Sequence, residues 1–350
     1  MLTSRKDEHL SVVLERRHKA GRASAGFDAF DFVHCALPDL HLDEIDLTSN
    51  FLGRTLSAPF IVSSMTGGPS RATAINRNIA EACEATGMAM AVGSQRVAIE
   101  TGGADGGLGG DLRKIAPSIP IVGNIGVAQL NTGFGADEAR RAVDMLEADG
   151  LYVHLNPLQE AVQPEGDRDF RGLFRKIVEL SESLPVPVLI KEVGNGISAN
   201  LARRFAEAGI DHIDVAGAGG TSWAAVEAAR ISDPADAALA NAFAEWGIPT
   251  AQAVETVRAA CPDSTIIASG GVRGGIDAAK AIRLGADLVG QAAGLLDAAN
   301  DSAEALDTHL SGLKRTLQIA CFCTDSADLA ALRIAEISPA QITPAQIKPA

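Results

Sequence analysis

From Pro59 onward, short apolar runs alternate with longer amphipathic stretches. The apolar runs are 59–65 (PFIVSSM), 88–94 (MAMAVGS), 120–126 (PIVGNIG), 151–156 (LYVHLN), 186–193 (VPVLIKEV), 212–217 (HIDVAG), 265–271 (TIIASGG) and 287–292 (DLVGQA). All are of strand length and none alternates cleanly between apolar and polar positions. That is the pattern of parallel strands covered on both faces. Between them, residues 70–86, 136–148, 171–183, 199–208, 249–260 and 275–284 show helical patterns. Eight strand–helix units over roughly 250 residues predict an α/β chain folded as a closed (β/α)8 TIM barrel, in preference to an open sheet.

Outside the barrel the pattern weakens. Residues 1–58 read as an N-terminal arm and lead-in. Leu10, Val13 and Leu14 recur at helical spacing behind a basic start, and an irregular acidic stretch follows over 27–52. The barrel with its C-terminal helices spans 59–335. Residues 336–350 repeat Pro-Ala and are expected to be a loose tail. Two long irregular stretches interrupt the barrel, the glycine-rich insert 97–117 and the 218–246 loop that carries Trp223. Both follow C-terminal ends of strands, the side on which barrels do chemistry.

Composition narrows the function. The chain is 47% hydrophobic, enough to bury a large core. A net charge of −14 argues against nucleic acid as a partner, while leaving room for a local cationic pocket. No run reaches the roughly 18 apolar residues of a membrane span, so no membrane association is expected. The start, MLTSRKDEHL, has no apolar stretch behind it and is not an ordinary signal peptide. Cys35, Cys83, Cys261, Cys321 and Cys323 are scattered and form no CxxC pair. They read as reduced thiols of a cytoplasmic protein.

Polar residues and glycines gather where the strands end. Met65-Thr66-Gly67-Gly68 follows the first strand, Ser94-Gln95-Arg96 ends the second and Asn124 lies in the third. The fourth carries His154 and Asn156 on one face, with Gln159 and Glu160 just past Pro157. Lys191 sits inside the apolar fifth strand, where a cation needs an anion or a polarisable ligand unless it snorkels out. The turns 217–221 (GAGGT) and 269–275 (SGGVRGG) suit a phosphate held on backbone N–H groups. A phosphate-bearing cofactor is therefore expected across strands six to eight. A second anionic group could meet Arg5, Lys6, Arg96 and His154, with Glu160 placed to hold Mg²⁺ against a diphosphate. On charge alone Arg5 and Lys6 read equally as a solvated arm.

Seven segments together resemble the FMN-dependent type II isopentenyl-diphosphate isomerases. They are RKDEH (5–9), SMTGG (64–68), AVGSQR (91–96), HLNPLQE (154–160), IKEVGNGIS (190–198), DVAGAGGTSW (214–223) and SGGVRGG (269–275), in order over residues 1 to about 320. The resemblance implies a barrel that binds FMN and Mg²⁺, works with reduced flavin, and interconverts isopentenyl and dimethylallyl diphosphates. NADPH is implied as the reductant, and a homo-oligomer, tetramer or octamer, as the assembly. It places Ser64, Met65, Thr66, Ser94, Asn124 and Ala216 along the flavin and Lys191 beside its ring. Thr221, Gly270, Gly271, Val272 and Arg273 are implied around the FMN phosphate, with Gln291 and Ala292 on strand eight. Arg5, Lys6, Ser94, Gln95, Arg96, His154 and Asn156 resemble substrate contacts. Gln159 and His154 are the implied catalytic side chains and Glu160 the metal ligand. Two departures stand out: Ala216 where some members have serine, and QAAG (291–294) in place of a more usual Ala-Arg-Pro.

Isomerisation is redox-neutral, with one proton added and another removed. A prenyl chain offers no acidic group, so it needs a strong, well-placed acid–base pair. In the family the reduced flavin's ring nitrogen supplies it, and the protein supplies orientation and electrostatics. The competing reading is an FMN-dependent 2-hydroxy acid oxidase, which shares the barrel, the strand-five lysine and the GGVR turn. Those oxidases carry His-Gly-Gly-Arg after strand six, as base and carboxylate clamp. Here Ala218 and Thr221 stand in that stretch.

Overall fold

The computed structural model describes residues 9, 12–13, 23–65, 70–102, 108 and 111–340. Arg5, Lys6, Thr66, Gly67 and Gly68 lie outside them, as do most of the expected N-terminal helix and the last ten positions of the tail. The strands in chain order are β1 (Phe30–Phe32), β2 (Ser49–Phe51), β3 (Arg54–Leu56), β4 (Phe60–Val62), β5 (Ala89–Ala91), β6 (Ile121–Gly126), β7 (Gly150–Leu155), β8 (Val188–Glu192), β9 (His212–Asp214), β10 (Thr265–Ala268), β11 (Leu288–Gln291) and β12 (Ile337–Pro339). β4 to β11 pair in sequence order, all parallel, and β11 closes on β4. This is the expected (β/α)8 barrel.

The helices follow from spacing and end signals. In Ala136–Leu146 the buried residues are Ala139, Ala142, Val143 and Leu146, one helical face laid on the barrel wall. Its first turn is acidic, and Glu138 accepts the Gly135 amide at 2.9 Å, which satisfies a donor left open at the helix start. In Ala199–Glu207 the Ser198 hydroxyl caps the Leu201 amide.

Inside the barrel, period-two geometry sorts residues into layers. Ile61, Ala89, Val122, Tyr152, Leu189, Ile267 and Leu288 form one buried apolar cluster, closed from below by Phe51 and Leu56 of the β2–β3 hairpin. Two positions further along each strand, on the same face, come Ser63, Ala91, Asn124, His154, Lys191, Ser269 and Gly290. The lower layer is core. The upper layer is mostly polar and opens toward the C-terminal end.

Three segments are more ordered than expected. The 218–246 stretch contains helices Trp223–Arg230 and Pro234–Asn241. Ser222 caps the first through the Ala225 amide, and Asp233 caps the second, with Pro234 in its first turn. The 97–117 insert contains short helical turns at Arg96–Glu100 and Asp111–Ile115. The start of the expected tail is not loose, because β12 pairs antiparallel with β1 (Phe30↔Pro339, Phe32↔Ile337). That pairing also orders part of the 27–52 stretch.

Candidate active site

The polar layer and the loops above it surround a cavity of about 880 Å³ at the C-terminal end of the barrel. That is within the size range of small-molecule and cofactor sites. Ser63, Ser64 and Met65 reach it from β4, Ser94 and Arg96 from β5, Asn124 from β6, and His154, Asn156, Gln159 and Glu160 from β7 and the helix Pro157–Val162. Lys191, Ala216, Thr221, the Gly270–Arg273 turn, Gln291 and Ala292 complete the far wall.

The β7 side is a network of amides and carboxylates. Asn124 donates Nδ2 to the Val92 carbonyl at 3.1 Å, so its Oδ1, 2.8 Å from His154 Nδ1, is left to accept. His154 therefore carries its proton on Nδ1. Asn156 Nδ2 donates to Glu160 Oε1 at 2.8 Å, and the Asp167 amide donates to Glu160 Oε2 at 2.7 Å. Asn156 Oδ1 is buried with no hydrogen-bond partner among the described residues. A carboxylate beside an unpartnered amide oxygen is a donor set for a hard cation, which would take the rest of its shell from water and phosphate. Arg96 is anchored by Glu100 at 2.9 Å and Asp167 at 3.2 Å. Burial works against its charge, but these two carboxylates outweigh it and hold the guanidinium above its ordinary value.

The opposite wall is built for close backbone approach. Gly270 (φ 97°) and Gly271 (φ 73°) adopt left-handed conformations, and a Cβ on either would overlap the backbone of Gly217 or Gly219. The two glycine turns thus touch one another. The amides of Gly270, Gly271 and Val272 donate to no group among the described residues, which suits an anion. Arg273 instead gives its amide to Asp277 at 3.0 Å and its guanidinium to Asp28 and Asp277. The hydroxyls of Ser63 and Ser64 are buried without partners among the described residues. Unpartnered hydroxyls, open amides and a buried lysine around one cavity fit a flavin mononucleotide.

A model of the FMN-dependent dehydrogenase family matches residues 150–335. An isopentenyl-diphosphate delta-isomerase of Stutzerimonas stutzeri is 61% identical over 336 residues, 96% of this chain and 97% of its own. One from Xanthobacter autotrophicus is 60% identical over 329 residues, 94% of this chain and 95% of its own. The chain belongs to the FMN-dependent isopentenyl-diphosphate delta-isomerase family. Solved structures share the fold at much lower identity. A mandelate oxidase superposes with a TM-score of 0.63 at 15% identity, over 90% of each chain. The flavin-binding domain of baker's yeast flavocytochrome b2 gives 0.63 at 18%, over 92% of this chain and 78% of its own. The likeness to oxidases is thus one of architecture.

Against the residues implied for this isomerase family, two placements differ, Gln95 wholly and Gln291 in part. Gln95 does not face the cavity. It is fully buried, accepts the Asn124 amide at 2.9 Å and donates to the Ala142 carbonyl at 2.9 Å. It ties β6 to the helix behind it, because its side chain points through the wall. Gln291 also turns partly away from the cavity. Its Nε2 donates to the Val272 carbonyl at 2.9 Å, and His309 Nε2 lies 3.0 Å from its Oε1. It braces the glycine turn from β11.

The structure also adds residues that sequence reasoning missed. Glu227 is fully buried and meets Gln159 Nε2 at 3.1 Å, His9 Nε2 at 2.9 Å and Arg230 at 2.5 Å. Burial would raise its carboxyl pKa, but contacts with His9, Gln159 and Arg230 hold it below the usual carboxylate range. His9 in turn packs edge-on against Trp223 at 5.2 Å. The available signal was a lone acid within AAVEAA (224–229), a charge where a helix should show its apolar face. Asp214, fully buried below Lys191, is the second. Its signal was equally local, a carboxylate inside the apolar run HIDVAG.

Proposed function

We propose that this chain interconverts isopentenyl diphosphate and dimethylallyl diphosphate, with FMN and Mg²⁺ bound in the cavity. One observation carries the reading: a single cavity joins an anion-ready glycine turn, a buried lysine and the Asn156–Gln159–Glu160 cluster on the facing wall. FMN would lie with its phosphate at Gly270–Val272 and Thr221, its ring along Ser64, Met65, Thr66, Ser94, Asn124 and Ala216, and Lys191 beside the ring. When bound and reduced by NADPH, it supplies a ring nitrogen able to give and take the proton.

The chain's own residues do the rest. Moving the double bond adds a proton at one end of a three-carbon unit and removes one from the other, so the prenyl group must be fixed in place. Arg5, Lys6, Arg96, His154 and Asn156 would hold the diphosphate, with Glu160 carrying Mg²⁺ against it. Anchoring so far from the reacting carbons fixes a near-attack geometry. Glu227 orients the Gln159 amide, which would lie nearest the prenyl chain. Among the described residues, no helix is long and apolar enough to cross a membrane. We place the protein in the cytoplasm, as a homo-oligomer.

The test is an isomerisation assay with the purified protein, FMN, Mg²⁺ and a reductant, each withheld in turn. Turnover of isopentenyl diphosphate only with reduced flavin and Mg²⁺ is expected. Oxygen uptake with 2-hydroxy acids, without isomerisation, would replace this reading with the oxidase one.

A further inference from the structure

Below Lys191 the cavity wall holds a second, opposite charge. Asp214 ends β9 in register with Lys191 on β8, and its Oδ2 lies 3.2 Å from Lys191 Nζ. The same carboxylate receives the Ser269 hydroxyl at 2.5 Å, the Tyr152 hydroxyl at 3.2 Å and the Ala216 amide at 3.3 Å. Four donors, from β7, β8 and the ends of β9 and β10, therefore converge on one fully buried group. Burial, and then the Asp214 charge, push the Tyr152 phenol well above its ordinary value, so its hydroxyl stays a donor. Lys191 is itself only 6% exposed, and its other contact is the Ser269 hydroxyl at 3.3 Å.

Two further titratable groups lie beside Lys191 among the described residues. On β7, His154 pairs with Lys191 in register and is bonded to Asn124. Glu192, next on β8, accepts the amides of Val193, Gly194 and Asn195. Among the described residues, Asp214 is the carboxylate set against the lysine.

We propose that Asp214 is a positioning residue for the flavin, holding Lys191 protonated and aimed into the cavity before the cofactor is reduced. This rests on the reading of Lys191 as the residue beside the flavin ring. A buried ammonium without a counter-ion sheds its proton, because desolvation disfavours the charged form. With Asp214 behind it, the lysine keeps its charge against oxidised, neutral flavin. Tyr152 and Ser269 fix the carboxylate from behind and beside, so the salt bridge points Nζ along one direction. When the flavin becomes an anion, the cation is already in place and no proton has to be brought in for it.

That gives a countable consequence. Two-electron reduction of bound FMN to its anion takes up one proton in the native protein. Without the Asp214 charge, Lys191 starts neutral and takes up a second proton as the flavin gains its charge. The experiment is a dithionite titration of FMN-loaded wild type and Asp214→Asn against a redox dye, over pH values where the reduced spectrum is anionic. The slope of midpoint potential with pH reads the protons taken up. Wild type should give one proton per two electrons and Asp214→Asn two, a doubled slope. An unchanged slope in FMN-loaded Asp214→Asn overturns the proposal, since a purely structural role would weaken FMN binding without altering the proton count.

Lys191→Met separates this inference from the site reading beneath it. If its potential matches wild type, Lys191 is not beside the flavin and both fall. If its potential shifts while Asp214→Asn keeps the native slope, only the Asp214 proposal falls. Should Asp214→Asn fail to fold, the double variant Lys191→Met/Asp214→Asn decides, followed by circular dichroism and thermal melting. Recovery of the fold traces the failure to the uncompensated lysine and supports the proposal. A double variant that also fails makes Asp214 part of the framework and overturns it.

Discussion

Side chains that share one cavity divide its work. Glu160 has one oxygen on Asn156 and the other on the Asp167 amide, which fixes its plane and leaves lone pairs toward the cavity. Glu160→Gln keeps the size and removes the charge a hard cation wants. It should raise the Mg²⁺ needed for half-maximal rate about tenfold or more, roughly 1.4 kcal/mol, with FMN affinity unchanged. A Mg²⁺ titration of the isomerase rate checks this, and a variant that titrates like wild type places the metal elsewhere. Glu227 makes a different claim. Its carboxylate orients Gln159 and is held below its ordinary 4.5. A depressed folded-state pKa means that its contribution to stability is present above 4.5 and is lost as pH falls further, through the depressed value. Glu227→Gln should lower turnover about tenfold or more while FMN binding holds, and should flatten the stability loss below pH 4.5. The measurements are the rate at saturating FMN and Mg²⁺ and the melting temperature from pH 3 to 6. A native acid limb in the variant would show that Glu227 does not set it.

At the scale of elements, the site is made by strand ends and the turns that leave them. The two glycine turns after β9 and β10 are in mutual contact, so each fixes the other. Gly270→Ala places a Cβ at φ 97° and drives it into the Gly217 backbone. The turn must open, and FMN affinity should drop about tenfold or more, since both strain and lost amide geometry oppose binding. Fluorescence titration of FMN measures it, and native affinity would mean that the phosphate is held elsewhere. These turns were legible in the sequence because glycine pairs after an apolar run have few other uses. The helices at Trp223–Arg230 and Pro234–Asn241 were not. Their caps, Ser222 and Asp233-Pro234, were present, but in the first Glu227 and Arg230 fall on the inward side and break the apolar stripe that marks a helix, and the second buries only Ala240. A helix whose buried face is charged to serve a site, or that buries almost nothing, looks like a loop. Gln95 misled in the opposite sense, since its position after β5 gave no sign that its amide faces the wall behind.

Across the whole molecule, a two-residue step along the strands separates what folds the protein from what it does. The lower barrel layer, with Val122, Tyr152, Leu189 and Ile267, is core closed from below by the β2–β3 hairpin, and the layer above is the mostly polar floor of the cavity. The barrel itself could be read from eight apolar runs, because parallel strands buried on both faces leave a strong signal. The pairing of β12 with β1 could not, because three residues from each end of the chain meet only through the closed barrel between them. The layering predicts a clean split between stability and catalysis. Leu189 is fully buried in the apolar layer below the site. Leu189→Ala leaves a cavity in the core layer and should cost about 2–5 kcal/mol of stability. The folded fraction should keep near-native turnover, since Lys191 on the same strand is held by Asp214 on β9 and Ser269 just past β10. Gln159→Ala should do the reverse. Its side chain is partly exposed at the cavity, so the denaturation midpoint should barely move while turnover falls with the Mg²⁺ requirement intact. Chemical denaturation and steady-state rates on the two variants test the split together. If Leu189→Ala lost turnover in proportion to stability, the layers would be mechanically coupled and the upper layer would depend on core packing for its geometry.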